Sequence, residues 1–335
     1  MKVKIVDVAR EANVSVATVS RVVNNIPLVN EETRERVLAA IKKTGYKPNA
    51  IARSLKIQKT HTLGIIIPDI SNPFYTEIVR GAEDVSGIYN YNIILSNTDF
   101  DISKAKKSLD VLVEKQCDGI IYVGKHLSEE MLQELIDAPS EIVLGCVPDE
   151  TGQLSGVLID NEEAAYELAI KCIDMGHVKN ILLCDNLVEG YINQKRIQGI
   201  KRAYKEKNII FDESLIYYGN ASIIGGYHLM KEVLESGTTF TNVFCYNDQL
   251  ALGAMRAAQD SGKIVPEDIS VCGFNDFWIS EWMSPGITTI KQPMYDIGAV
   301  ATRMLIKMCD KEETETKTLN VPYELVVRNS VIRLN

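Results

Sequence analysis

The sequence is short of the features that mark secreted, membrane-spanning or metal-dependent proteins. Its seven cysteines (Cys117, Cys146, Cys172, Cys184, Cys245, Cys272 and Cys309) are odd in number, scattered, and never spaced Cys-x-x-Cys. Most lie in apolar runs such as Val271-Cys272-Gly273, where a thiol acts as a small hydrophobe. That usage suits a reducing cytoplasm. Only four histidines occur (His61, His126, His177 and His228), and none stands at metal-ligand spacing from another. His177, directly after Gly176, reads as a capping or surface residue. Apolar runs such as Leu63-Gly64-Ile65-Ile66-Ile67 fall far below the ~18 residues of a membrane span. Behind the charges of Met1-Lys2-Val3-Lys4 there is no apolar stretch of about 7–15 residues, so no signal peptide is expected. Also missing are a G-x-G-x-x-G after a strand, a Walker lysine loop and a G-x-S-x-G elbow. The expectation is a cytoplasmic protein without catalysis, metal or cofactor.

Basic residues are in deficit, with 36 Lys+Arg against 45 Asp+Glu and a net charge of −9. Taken as an average, that argues against a nucleic-acid partner, but the deficit is uneven. Residues 1–60 carry 12 basic and 5 acidic side chains, a net of +7, whereas residues 61–335 carry 24 and 40, a net of −16. A small cationic module joined to a large acidic body points to an anionic partner at one end. The 335 residues, 46% of them hydrophobic and 24% charged, are ordinary globular composition with room for two or three domains.

Within the cationic module, Ile5, Val8, Ala9 and Ala12 fall on one helical stripe. Asn13-Val14-Ser15 supplies a turn, because Asn tolerates left-handed backbone and Ser15 is a good N-cap. A second short helix follows over residues 16–23 with Val19, Val22 and Val23 inward. Asn30 then caps a third, from residue 31 to about 44, whose stripe is Val37, Leu38 and Ile41 and which Gly45 ends. The pattern suits a small helical bundle as well as a helix-turn-helix. The charge, and a second helix whose exposed side chains are short apart from Arg21, favour DNA. Pro48 precedes a further helical pattern of about eight residues, too short to persist in water without tertiary contacts or DNA. These features divide the chain into a head (1–46), a hinge helix and linker (47–61) and a body (62–335).

In the body, β-branched runs alternate with amphipathic helices. Residues 63–68, 91–96, 119–123, 141–145, 156–159, 180–184, 215–218, 242–246 and 269–274 read as buried parallel strands. The rhythm gives an α/β fold of two doubly wound parallel halves, each with its ligand edge at the carboxyl ends of its strands. Asn247-Asp248-Gln249 sits at a strand-to-helix junction, where Asp248 is either a ligand group or, with Asn247, an N-cap.

Asp7-Val8-Ala9, the run Val14 to Val22, and Gly45-Tyr46-Lys47-Pro48-Asn49 resemble the head of LacI/GalR-family transcription regulators, and the resemblance covers the whole chain. It implies a homodimer on a pseudo-palindromic double-stranded operator. The DNA-binding residues would be Ser15, Val16, Ala17, Thr18, Arg21 and Asn24 from the head. Asn49, Ala52, Leu55 and Lys56 would join them from the hinge helix, with Leu55 as a minor-groove wedge. It further implies a periplasmic-binding-protein-like body of two subdomains, about 62–160 plus 290–320 and 161–289 plus 321–335. The chain would cross back after about residue 289, returning the helix that begins at Tyr295 to the first half. Between the halves, Ser71, Phe74, Arg196 (of an R-x-x-G) and Asp248 would form an effector cleft for a sugar, sugar phosphate or purine. An Arg–Asp pair there suits either ligand hydroxyls and phosphate or a domain-closing ion bridge.

The helix after Pro293 buries Ile297, Val300, Ala301, Met304, Leu305 and Met308, while Asp296, Arg303 and Lys307 align on another stripe. Two cations four residues apart can clasp one phosphate, although an ordinary solvated face has the same pattern. This helix, with Tyr89-Asn90-Tyr91-Asn92, resembles the branch of the family that controls carbon catabolite genes in Gram-positive bacteria. In that branch the surface receives the serine-phosphorylated carrier protein HPr, which implies a corepressor site of Tyr89, Tyr295, Asp296, Arg303, Lys307 and Lys47. Lys47 stands where the branch usually has arginine, and residues 277–282, Phe-Trp-Ile-Ser-Glu-Trp, depart from it. A sugar-binding transport receptor, the remaining alternative, is disfavoured by the basic head.

Overall fold

Three short helices, Ile5–Glu11, Val16–Val23 and Glu31–Thr44, open the chain in the computed structural model, which describes residues 3–23, 26–46, 59–312 and 315–334. Val8, Ala9, Ala12, Val19, Val22, Val37 and Ala40 close their common core. Asn13 takes φ +52° in the turn, the Ser15 hydroxyl accepts from Thr18 N–H at 3.1 Å, and Asn30 accepts from Thr33 N–H at 2.9 Å. Gly45 ends the third helix at φ +68°. One residue of the expected inward stripe faces outward. Leu38 is 51% exposed and Ala40 is buried in its place, because positions 37, 40 and 41 share a face and 38 is turned about 100° away from 37.

The chain divides into two compact units, 1–60 and 61–335. The larger is α/β, with two parallel sheets wrapped by helices and a short antiparallel pair. β1 (Thr62–Ile67), β2 (Asn92–Asn97), β3 (Gly119–Val123), β4 (Glu141–Gly145), β5 (Ser155–Leu158) and the late strand β11 (Thr318–Asn320) make the first sheet, in the order β11-β5-β4-β3-β1-β2. β6 (Asn180–Asp185), β7 (Ile216–Gly219), β8 (Asn242–Cys245) and β9 (Ser270–Cys272) make the second, ordered β7-β6-β8-β9. β10 (Thr289–Lys291) and β12 (Glu324–Val326) pair antiparallel. The nine strands read from sequence all form, but the segments around residues 91–96 and 215–218 are not buried strands: β7, the edge of the second sheet, has no buried residue. β2 is the edge of its sheet and alternates between exposed and half-buried.

Three crossings join the two lobes: from β5 into the helix Asn161–Asp174, from β10 into the helix Met294–Cys309, and from β11 into β12. The helix Met294–Cys309 thereby returns to the first lobe. It packs against the helix Pro73–Ile88 so closely that a Cβ on Gly81 would stand 2.0 Å from the Tyr295 carbonyl oxygen. A Cβ on Gly298 would stand 1.9 Å from that of Ile78. Side-chain-free residues at both positions are what permit this backbone approach.

His177 does cap the helix Asn161–Asp174, its backbone N–H donating to the Cys172 carbonyl at 3.1 Å just after Gly176 at φ +99°, but it is not a surface residue. It is fully buried, with Nδ1 3.0 Å from the Thr241 hydroxyl and Nε2 2.8 Å from the Ile332 carbonyl. Burial pushes its pKa down, against the carbonyl contact, and its ring ties the residue before β8 to the chain's last segment.

Candidate functional site

In the head, the helix Val16–Val23 turns Val19 and Val22 into the core and leaves Val16, Ala17 and Arg21 exposed. Ser15 is also exposed, and its hydroxyl lies 2.9 Å from that of the half-buried Thr18. The face thus presents small side chains and one guanidinium, a shape able to approach base edges closely. Asn24, Lys47, Asn49, Ala52, Leu55 and Lys56 lie outside the described residues.

Between the lobes of the body runs a cleft of about 490 Å³. Ser71, Phe74 and Arg196 line it, together with Asp69, Lys125, Asp185, Asn247 and Asn275. Ser71 donates its hydroxyl and its N–H to Asp69 at 2.7 and 2.8 Å, and Phe74 stacks edge-on against Tyr75. Arg196 comes from the helix Tyr191–Glu206 and is 7% exposed. Its Nε donates to Asn161 at 3.0 Å, another guanidinium nitrogen donates to the Tyr246 carbonyl, and the Phe274 ring lies 3.4 Å below it. Burial lowers its pKa to about 10, a group that still carries its charge.

Asp248 does not reach the cleft. It is fully buried, accepts from the Thr289 hydroxyl at 2.7 Å and from Phe277 N–H at 3.1 Å, and belongs to the same lobe as Arg196. Its role is to tie β10 to the start of the helix Asp248–Asp260, and Asn247 is the N-cap, accepting from Leu250 N–H at 2.8 Å. An ion bridge from Arg196 to Asp248 across the cleft is therefore not formed; Lys125 and Asp185 hold that position. Both stand just at or past the carboxyl end of a strand, β3 and β6, the one sequence signal that marks them.

On the outer face of the first lobe, Asp296 and Arg303 are exposed and Lys307 is half-buried. Tyr295, 39% exposed, donates its hydroxyl to Asp84 at 2.9 Å, and Tyr89, 41% exposed, caps the end of the helix Pro73–Ile88. Nothing in the local sequence of Asp84 distinguishes it from a solvated acid; only the fold brings it to Tyr295. Val300 and Met308 of the expected apolar side are half-buried, while Ile306 joins the core. Among the described residues there is no cluster of metal-ligating side chains, and no helix is long and apolar enough to cross a membrane.

Residues 4–49 match the model for bacterial regulatory proteins of the lacI family, and residues 171–331 match a periplasmic binding protein-like domain. The HTH-type transcriptional regulator RegA of Clostridium saccharobutylicum is 45% identical over 99% of this chain and 100% of its own length. Catabolite control protein A of Priestia megaterium is 43% identical over 98% and 99%. The Lac repressor dimer, solved bound to operator and the anti-inducer ONPF, superposes with a TM-score of 0.90 at 26% identity, covering 98% of this chain and 99% of that one. These relatives are transcription regulators, not enzymes. With a helix-turn-helix head, a two-lobed binding-protein body and near full-length relatives of one kind, the chain belongs to the LacI family of DNA-binding transcription regulators.

Proposed function

We propose that this regulator acts on carbon catabolite genes in the cytoplasm, and that a serine-phosphorylated carrier protein of the HPr type raises its operator affinity. The observation that carries the reading is the stripe of Asp296, Arg303 and Lys307 that follows the exposed Tyr295, on a helix whose backbone packs closely against the helix that Tyr89 ends. Arg303 supplies a planar fork and Lys307 a point charge one turn on, a suitable pair for a phosphoserine. The surrounding body is acidic, so a local cationic pair there favours an anion that its setting otherwise repels. Lys47 is assigned a further contact to the partner. The likeness to catabolite control protein A supports the same reading.

On the DNA side, a homodimer of heads (1–46) reads the major groove through Ser15, Val16, Ala17, Thr18, Arg21 and Asn24. The hinge segments (47–61) supply Asn49, Ala52, Leu55 and Lys56 to the minor groove. Partner binding changes operator affinity only if the partner favours the DNA-competent state over the other. The test is a titration of operator affinity with phosphorylated HPr, unphosphorylated HPr and a sugar phosphate. A gain with the phosphorylated protein alone supports the reading.

A second reading has its own observation. The cleft is walled by amides, carboxylates and aromatic rings, a set suited to the hydroxyls and faces of a sugar. Under it, operator affinity responds to the small molecule with no protein added.

A further inference from the structure

Lys125 and Asp185 meet across the cleft from opposite lobes. The Lys125 ammonium donates to both carboxylate oxygens of Asp185, at 2.8 and 2.7 Å. The pair is sheltered, the lysine side chain being 19% exposed and the aspartate 2%. Each ion is fixed within its own lobe. Beneath the ammonium, 4.5 Å away, lies the ring of Phe100. That ring is presented by a turn in which Asp99 and Phe100 both hold left-handed backbone, at φ +53° and +60°, and Asn97 and Lys104 both donate to the Asp99 carboxylate. On the other side, Leu187 N–H donates to Asp185 at 2.9 Å, and the Asn193 side chain brackets the Asp185 backbone from both its N–H and its carbonyl. Neither residue lies on a segment that crosses between lobes. Their contact therefore ties the walls of the cleft through side chains, in addition to the three backbone crossings.

We propose that the Lys125–Asp185 pair is a latch that holds the two lobes closed when no small molecule occupies the cleft. An ion pair of this kind adds little over a well-packed apolar pair, but removing one partner strands the other in a sheltered site. Here the stranded ion has an escape, because parting the lobes returns it to water. The closed state is thus built into the chain, and a cleft ligand changes the balance of lobes only by binding one arrangement better than the other. The inference is independent of which partner docks on the outer face.

Backbone hydrogen exchange on the full-length protein tests it, read in the cleft walls at residues 68–75 and 186–193 and, as a control, in the buried strand Thr62–Ile67. In Lys125→Met, both walls should exchange ~10-fold faster or more while the strand keeps its wild-type rate, since opening needs no unfolding. In the double variant Lys125→Met/Asp185→Asn, which removes the stranded charge, the walls should return toward wild-type rates. Wild-type exchange in the single variant overturns the latch. So does a double variant as fast as the single one, which would mean that lost packing and not charge opened the walls. Acceleration of the strand together with the walls would mean global destabilisation and would likewise overturn it.

Discussion

At the scale of single residues, the fate of each charged side chain follows from what surrounds it. Arg303 is exposed and stands free of the core, so its value lies in what it meets in solution. A charge-assisted contact contributes about 1.5–3 kcal/mol, so Arg303→Ala should weaken phosphorylated-HPr binding roughly 10- to 150-fold and leave the unphosphorylated form nearly unchanged. Calorimetric titration with both forms distinguishes phosphate reading from simple packing, which would lower both equally. On the head, Arg21→Ala should cost about 1–3 kcal/mol on the best operator and relax preference at one position. Equal loss on unrelated DNA would make Arg21 a phosphate anchor. Asp248 shows the opposite circumstance. Burial raises its carboxyl to about 7, more than its hydrogen bonds from Thr289 and Phe277 lower it. An acid with a raised folded-state pKa stays protonated in the folded chain while the unfolded chain has already released its proton. Its stabilising contribution is therefore present at low pH and is withdrawn as pH climbs from about 4 toward 7. Between about pH 5 and pH 8 the Tm of the wild type should fall further than that of Asp248→Asn, followed by scanning calorimetry; parallel profiles would remove Asp248 from the cause.

Among elements, the pairing of the helices Pro73–Ile88 and Met294–Cys309 is the most constrained contact. Gly298→Ala places a methyl carbon where a carbonyl oxygen stands 1.9 Å away, so one of the two helix backbones has to shift. Overpacking of this kind costs about 1–3 kcal/mol, so urea unfolding should show a lowered midpoint with an unchanged slope. Phosphorylated-HPr binding should weaken too, because the helix that carries Arg303 is displaced. Such elements were legible in the sequence to within a residue or two wherever periodicity was strong. Asn13, Asn30 and Gly45 named the turn and the helix ends of the head because each acts locally. Less legible were the three-residue strands β10, β11 and β12, too short to carry a period, and the edge position of β2, which depends on sheet order. The cleft was half legible. Arg196, Ser71 and Phe74 do line it, but Asp248 turns inward. The choice between ligand edge and buried tie is made by Thr289 and Phe277, residues 41 and 29 positions away in sequence.

For the whole molecule, the charge division matters first: the net +7 of residues 1–60, head and hinge segment together, suits DNA, and the net −16 of residues 61–335 does not. In the proposed homodimer, two-fold symmetry then sets the layout of the operator. Inserting about half a helical turn, ~5 base pairs, between the two half-sites should abolish tight binding in a mobility-shift assay, since one head would face the wrong side of the duplex. Retained affinity would argue for heads that act singly. The return of the helix Met294–Cys309 to the first lobe has a consequence during synthesis. The helix Pro73–Ile88 leaves the ribosome roughly 200 residues before the partner that covers it, and at about 5–20 residues per second that is an interval of roughly 10–40 s. Throughout it, the face around Ile78, Gly81 and Ala82 has no permanent cover. The newborn first lobe must wait with an open seam, offering chaperones a recognisable target on a chain whose finished form hides it completely.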